Sequence, residues 1–127
     1  MNDLQIKALD KLDGSITSFK TFIQTQAINE IDEYFILEQP QVNENFQQNL
    51  KSLFSPETIP LTFLEDNHAS VIAQTIDGDF IVANNQYTWV IDRSMYLEDS
   101  ECFLVTINQW FTAYFQHQLL SSVLNLN

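Results

Sequence analysis

The sequence predicts an α+β fold with N-terminal helices, a central twisted antiparallel sheet of about four to five strands, and a C-terminal amphipathic helix packed on that sheet. Apolar residues recur at helical spacing before Pro56, alternate with polar residues after Pro60, and return to helical spacing after Thr106. Successive strands joined by short turns imply a meander. Helices that precede and follow the strands, rather than alternating with them, are typical of the α+β class.

The length and composition are those of one domain. The chain has 127 residues, of which 45% are hydrophobic, and only two glycines and three prolines, so a long disordered stretch is not expected. We expect a mainly helical part over 1–56, a β-meander over 57–106 and a C-terminal helix over 107–122.

The N-terminal part begins with helices separated by a glycine. The first is predicted from Leu4 to Leu12 and stops at Gly14, and Ser15 is the expected N-cap of the next. Helical spacing of apolar residues continues beyond Thr25. The pattern leaves open whether 15–38 forms one helix or two helices broken near Thr25.

A further helix is predicted from Val42 to Phe54, between two prolines. Pro40 ends the preceding pattern because its ring clashes with a helical turn before it. Asn43 is the expected N-cap, since its side chain can accept a hydrogen bond from a free backbone N–H of the first turn. Ser55-Pro56 is expected to close the helix.

The segments after Pro60 have the alternation and the β-branched or aromatic residues of strands. They are 61–66, 69–76, 79–83, 87–92 and 101–105. Asp77-Gly78 predicts a two-residue type I′ hairpin, because Gly tolerates the positive φ that this turn requires. Asn84-Asn85 is the next expected turn, and 93–100 is predicted to be an acidic loop.

The most regular helix is predicted from Thr106 to about Leu120. Thr106 is the expected N-cap, and Gln109, three residues later, would complete a capping box. One apolar face, which we expect to pack on the sheet as core, consists of Ile107, Trp110, Phe111, Tyr114, Phe115 and Leu119.

Acidic residues dominate the charge. Seventeen Asp and Glu face five Lys and Arg, a formal net charge of −12, and Arg93 is the only Lys or Arg after Lys51. Such a chain repels nucleic acid and anionic membranes and attracts basic proteins. We therefore expect a basic protein partner, with the acidic charge serving solubility alone as the alternative. The predicted protein-binding residues are Asp77, Asp79, Asp92, Glu98, Asp99 and Glu101.

The sequence contains no pattern of catalytic or metal-binding residues. Cys102 is the lone cysteine and is expected to be structural, and His68 and His117 lie far apart in sequence. Asp77 and Asp79 flank a glycine, and a hairpin turn explains both residues. The spaced ligands of a calcium-binding loop are missing around them. We predict a protein that is not an enzyme and holds no cofactor or metal.

The compartment is expected to be the cytoplasm. The N-terminal residues lack the basic and apolar regions of a signal peptide. The uncharged stretch 102–127 is interrupted by many polar residues, so it is not expected to cross a membrane. A single cysteine gives no indication of an oxidising compartment.

From Ile59 to Phe115 the chain resembles the second half of the SMI1/KNR4 (SUKH) superfamily. Four segments carry this resemblance. They are the Ile-Pro-Leu strand at 59–61, the Gly-Asp-Phe-Ile-Val hairpin at 78–82, the aromatic strand ending in Asp at 87–92, and the Thr-Ile-x-x-Trp-Phe-x-x-Tyr-Phe helix at 106–115. Together they cover about half of the chain.

The resemblance implies an α+β domain and, for a bacterial member, an immunity protein that inhibits a cognate toxin, often a nuclease. An acidic inhibitor suits a basic nuclease, because complementary charge speeds encounter. Two alternatives stay open: an acidic secretion chaperone for an effector, and an NTF2-like small-molecule binder or enzyme. A deep pocket lined by Tyr87, Trp89, His117 and a carboxylate would favour the enzyme. Both a monomer and a homodimer are compatible with the sequence.

Overall fold

A computed structural model describes residues 1–126 and has the α+β architecture that the sequence predicts. The strands form one antiparallel sheet in the order β1-β2-β3-β4-β5-β6, so each strand pairs with its neighbours in sequence. The helices are α1 (Asp3–Asp10), α2 (Ile16–Thr25), α3 (Gln41–Ser52), α4 (Phe63–Asp66) and α5 (Ile107–Phe115). The strands are β1 (Glu30–Ile31), β2 (Phe35–Ile36), β3 (Ser70–Thr75), β4 (Phe80–Ala83), β5 (Thr88–Ile91) and β6 (Glu101–Phe103).

Helices cover both faces of the sheet. On one face α1, α2 and α5 enclose a core that includes Phe19, Phe35 and Trp110. On the other face α3 and α4 enclose a second core, in which Phe46 packs edge-to-face on Phe80. All four residues of β4 are buried, whereas an antiparallel sheet commonly leaves one face in water. The central strands therefore reach solvent chiefly at their ends, where the turns lie.

The first part of the chain contains a hairpin that the sequence pattern did not predict. Helix α2 ends at Thr25, and residues 30–36 form β1 and β2, so 15–38 is one helix followed by a β-hairpin. Residues 1–56 therefore contain a short β-hairpin besides α1, α2 and α3, and the sheet has six strands rather than four to five. The pairing of Ile31 with Phe35 explains the error: their four-residue spacing fits both a helix face and a short hairpin.

The predicted strand at 61–66 is wrong. Its last four residues form the short helix α4, which buries Phe63, and Leu61 before the helix is half exposed. The Thr62 hydroxyl donates to Asp66 Oδ2 at 2.8 Å across four residues, a contact that suits a helical turn. An alternation of six residues is too short to separate these two outcomes.

The turn at Asp77-Gly78 is not type I′. Only Gly78 has a positive φ, +101°, and its N–H donates to the Thr75 carbonyl at 3.0 Å. The Thr75 N–H donates to the Asp79 carbonyl at 2.8 Å, so three residues form the loop. This pattern is a type I turn followed by a left-handed glycine, the usual form of a three-residue hairpin loop.

Two predicted helix caps and one helix end also differ. Helix α3 begins at Gln41, so Asn43 lies inside it. Thr106 is the N-cap residue of α5, but its hydroxyl donates to Asn108 Oδ1 at 2.7 Å and no capping box forms. Gln109 instead donates to the Asp10 carbonyl at 3.3 Å, which ties α5 to α1. Helix α5 ends at Phe115, short of the predicted 107–122.

Candidate functional site

The meander places three of its turns at one end of the sheet. Because consecutive strands are antiparallel, the β1–β2, β3–β4 and β5–β6 connections lie on the same side. Eight of the seventeen carboxylates lie in these connections or at the start of β6. We call this set the acidic end; it consists of Asp32, Glu33, Asp77, Asp79, Asp92, Glu98, Asp99 and Glu101.

The acidic end extends along the whole width of the sheet. From β1 to β6 there are five steps of about 4.8 Å, so the turns span about 24 Å. The β4–β5 turn at the opposite end, residues 84–87, contains no charged residue. Among the short connections between strands, the carboxylates therefore lie at the acidic end. Carboxylates toward the opposite end, among them Glu30, Glu38 and Glu65, lie outside its short β4–β5 turn.

Three of the six predicted binding residues are exposed there: Asp77, Glu98 and Asp99. No hydrogen bond or ion pair within residues 1–126 involves their side chains, so their oxygens face water. These three carboxylates can meet a partner without first breaking a contact inside the protein.

Asp79 is fully buried, which corrects the expectation that it lies on the binding surface. Its Oδ1 accepts a hydrogen bond from the Arg93 backbone N–H at 2.9 Å and lies 3.4 Å from Arg93 Nε. Burial raises the pKa of this carboxyl above its usual range, and that effect exceeds the opposing effects of the Arg93 N–H and guanidinium. Asp79 joins the β3–β4 turn to the start of the acidic loop.

Asp92 and Glu101 are half-buried and already have partners. Asp92 Oδ2 accepts from the Ser94 N–H at 2.9 Å, which shapes the start of the loop. Glu101 accepts from the Ser121 hydroxyl at 2.6 Å, the Ser122 N–H at 2.8 Å and the Ser122 hydroxyl at 3.1 Å. Glu101 thus fastens the segment after α5 to the sheet. The pattern of charges in the sequence did not indicate this role.

Asp32 and Glu33 belong to the acidic end but were missed from the sequence. They occupy the β1–β2 turn, are exposed, and both have positive φ, 56° and 54°. Asp tolerates this conformation, whereas Glu adopts it rarely. Because no Gly or Asn marks the turn, its local sequence does not distinguish it from a helix.

A groove lies beside two of these turns. The Ile76 N–H donates to the Tyr34 carbonyl at 3.0 Å, which holds the β1–β2 and β3–β4 turns together. The end of α5 and the segment that follows it form the remaining walls, and the volume is about 570 Å³. We call this recess the hairpin groove; its polar and aromatic lining includes Asp32, Tyr34, Asp77, Tyr114, Phe115 and His117.

The two tyrosines of the hairpin groove are held by hydrogen bonds. The Tyr114 hydroxyl donates to Asp32 Oδ2 at 2.7 Å, and the Tyr34 hydroxyl accepts from the Asn125 N–H at 3.2 Å. Burial raises the pKa of both phenols, and for Tyr114 the neighbouring Asp32 carboxylate raises it further. Both phenols therefore stay protonated at neutral pH, and their hydrogen bonds hold the rings in the lining of the groove.

The structure separates the residues proposed for an enzyme pocket. Tyr87 and Trp89 pack together, and Trp89 contacts Phe63 in the core below α3 and α4. His117 lines the hairpin groove near the other end of the sheet. Cys102 is largely exposed, and partial burial of its thiol raises its pKa. Within residues 1–126, no cluster of three or more His, Cys, Asp or Glu has an arrangement that would hold a metal ion.

Comparison of the chain with protein-family models, curated proteins and solved structures gave no match. The resemblance to the SUKH superfamily therefore stays a prediction. None of the helices in residues 1–126 combines the length and apolar character that crossing a bilayer requires.

Proposed function

We propose that this protein is a non-enzymatic binder that uses the acidic end to hold a basic protein, as a cytoplasmic immunity protein holds its toxin. The observation that carries the proposal is the concentration of carboxylates at one end of the meander. Five of them are exposed: Asp32, Glu33, Asp77, Glu98 and Asp99. A wide surface of one charge raises the encounter rate with an oppositely charged partner and sets its orientation.

The surrounding structure supports this use of the turns. Both faces of the central strands are covered, so a partner meets the turns before it meets the strands. Buried Asp79 holds the start of the acidic loop through the Arg93 N–H, and half-buried Glu101 fastens the segment after α5 to the sheet. A preorganised surface loses little conformational entropy on binding, which favours tight association.

The proposal is tested by two triple variants with matched charge. One replaces Asp77, Glu98 and Asp99 by Lys. The other replaces Glu30, Glu38 and Glu65, which are exposed residues toward the opposite end of the sheet. In each, three carboxylates become three ammonium groups, so both carry a formal charge of −6 instead of −12.

The readout is survival of cells that also express the toxin-like protein encoded beside the gene. The acidic-end variant should lose protection and the opposite-end variant should keep it, with circular dichroism verifying that both are folded. Full protection by the folded acidic-end variant would contradict the proposal. A neighbouring secreted effector, held by a homodimer of this protein, would contradict the immunity role and favour the secretion chaperone.

A further inference from the structure

The hairpin groove combines free carboxylate oxygens with fixed aromatic rings. Tyr114 binds one oxygen of Asp32, and the other oxygen has no hydrogen-bond partner within residues 1–126. The Asp77 side chain has no such partner in that range either. The volume of about 570 Å³ lies within the range of about 300–1,000 Å³ that small-ligand pockets occupy. The groove can therefore receive a hydrogen-bond donor of the size of a side chain.

The charge of the hairpin groove specifies a cation. The described residues that line it include two carboxylates and no Lys or Arg. The carboxylates of Asp32 and Asp77 then set the sign of the local field. A cation that enters gains two charge-assisted hydrogen-bond acceptors.

The aromatic wall specifies a flat cation. The Tyr114 ring is fixed by edge-to-face contacts with Phe35, at a centroid distance of 5.0 Å, and with Phe115, at 5.3 Å. Ring faces attract cations within about 6 Å, and a guanidinium stacks on them better than an ammonium does. A guanidinium also forms the paired donors that match a carboxylate.

We propose that the hairpin groove takes one arginine side chain of the basic partner, with its guanidinium beside the Asp32 and Asp77 carboxylates and its plane stacked on the Tyr114 ring. This inference rests on the proposed function and deepens it, since it names the side chain that the acidic end selects. The exposed acids outside the groove then serve encounter, and the groove serves specificity.

The test uses three short peptides in which the central residue is arginine, citrulline or lysine, titrated into the ¹⁵N-labelled protein. Citrulline has nearly the same shape as arginine but no charge. The arginine peptide should shift the amide signals of 32–34, 76–77 and 114–117 saturably, and the citrulline peptide should not. The lysine peptide should bind about fivefold more weakly, because it lacks the stacked plane.

Two isosteric variants separate the groove from the general charge. Asp77→Asn removes a groove carboxylate that makes no hydrogen bond or ion pair within residues 1–126. Asp99→Asn removes an exposed carboxylate of the same acidic end outside the groove. Asp77→Asn should weaken binding of the arginine peptide about tenfold, and Asp99→Asn should weaken it less than about twofold.

Equal weakening by the two variants, equal binding of citrulline or lysine, or shifts spread over the whole acidic end would each overturn the groove assignment. These results would leave the proposed function standing, because it depends on the protection experiment. Conversely, arginine binding in the groove together with full protection by the acidic-end triple variant would overturn the function and keep the groove.

Discussion

Trp110 is the residue around which the larger core is arranged. It is fully buried, and Phe35, Phe103 and Phe111 pack edge-to-face against it at centroid distances of 5.8, 6.1 and 5.0 Å. Its indole Nε1 has no hydrogen-bond partner within residues 1–126. The side chain therefore stabilises the fold through its apolar area, while its N–H contributes nothing to offset its desolvation.

Replacing Trp110 by Ala should lower the free energy of unfolding by about 3–5 kcal/mol, because a large cavity remains. Trp110→Phe should cost clearly less, since it keeps a ring and removes the unpartnered N–H. Urea denaturation of both variants measures the two values. A near-neutral Ala variant would contradict the core position of Trp110.

Asp79 should make the stability depend on pH. Its pKa is raised in the folded state, so the folded protein keeps the proton at pH values where the unfolded chain has lost it. Ionisation of the unfolded chain therefore lowers stability as pH rises from the unfolded pKa, about 3.9, up through the folded pKa. Asp79→Asn mimics the protonated form and still offers an oxygen to the Arg93 N–H.

Relative to the wild type, Asp79→Asn should become more stable as pH increases from 3.5 to 7. Thermal melting of both proteins across this range measures the difference. Asp77→Asn is the control, because it makes the same substitution two positions away at an exposed side chain. If the stability of Asp79→Asn relative to the wild type stays constant or falls as pH rises, the raised pKa of Asp79 is contradicted.

At the scale of single residues, the sequence could locate the acidic residues but could not show which are exposed and which are buried or hydrogen-bonded. Asp77 and Asp79 look alike on either side of Gly78, yet one is exposed and the other is fully buried. The difference arises from Arg93, which is fourteen residues further along the chain. Likewise, Glu101 is set apart from Glu98 only by contacts with serines about twenty residues away.

At the scale of elements, three helices end in the same way without the expected glycine. In α2, α4 and α5 a left-handed residue follows the cap, and the next N–H donates to a carbonyl five residues earlier. This is the Schellman motif, in which Gly is the usual left-handed residue. The positions are occupied by Ala27, His68 and His117, so the sequence left the end of α2 open and predicted the end of α5 too late.

The strands were predicted better than the first helices. Four of the predicted segments contain β3, β4, β5 and β6, because Asp77-Gly78 and Asn84-Asn85 mark the turns between them. The β1–β2 hairpin lacked such a mark, since its turn contains no Gly or Asn and Glu33 is unusual in a left-handed conformation. Its position beside β3 is a tertiary contact that local patterning does not contain.

Glu101 should control the order of the chain after α5. Glu101→Gln replaces one accepting oxygen by an NH₂ group, so at least one hydrogen bond from Ser121 or Ser122 is lost. Amide hydrogen exchange over 119–126 should become faster, while exchange in β4 and β5 stays unchanged. Glu98→Gln is the control, because the Glu98 side chain is exposed and makes no hydrogen bond or ion pair within residues 1–126. Unchanged exchange in Glu101→Gln would contradict the fastening role.

At the scale of the whole molecule, the topology brings acidic turns that are far apart in sequence to one end of the sheet. A meander sends alternate turns to opposite ends, so acids placed in every second turn accumulate together. The sequence allowed this inference for the β3–β4 and β5–β6 turns, because both were predicted. It did not reveal the hairpin groove, since that recess needs the β1–β2 turn and the chain after α5.

The central claim is that the acidic end captures a basic protein through charge. The direct measurement is the association rate constant with that partner, determined at increasing salt for the wild type and the two charge-matched triple variants. We expect wild-type association to slow as salt rises, because exposed charges are screened over about 10 Å at 0.1 M salt. At low salt, replacing Asp77, Glu98 and Asp99 by Lys should slow association about tenfold or more, and replacing Glu30, Glu38 and Glu65 should slow it much less. Wild-type association that does not respond to salt, or equal slowing by the two variants, would contradict the claim.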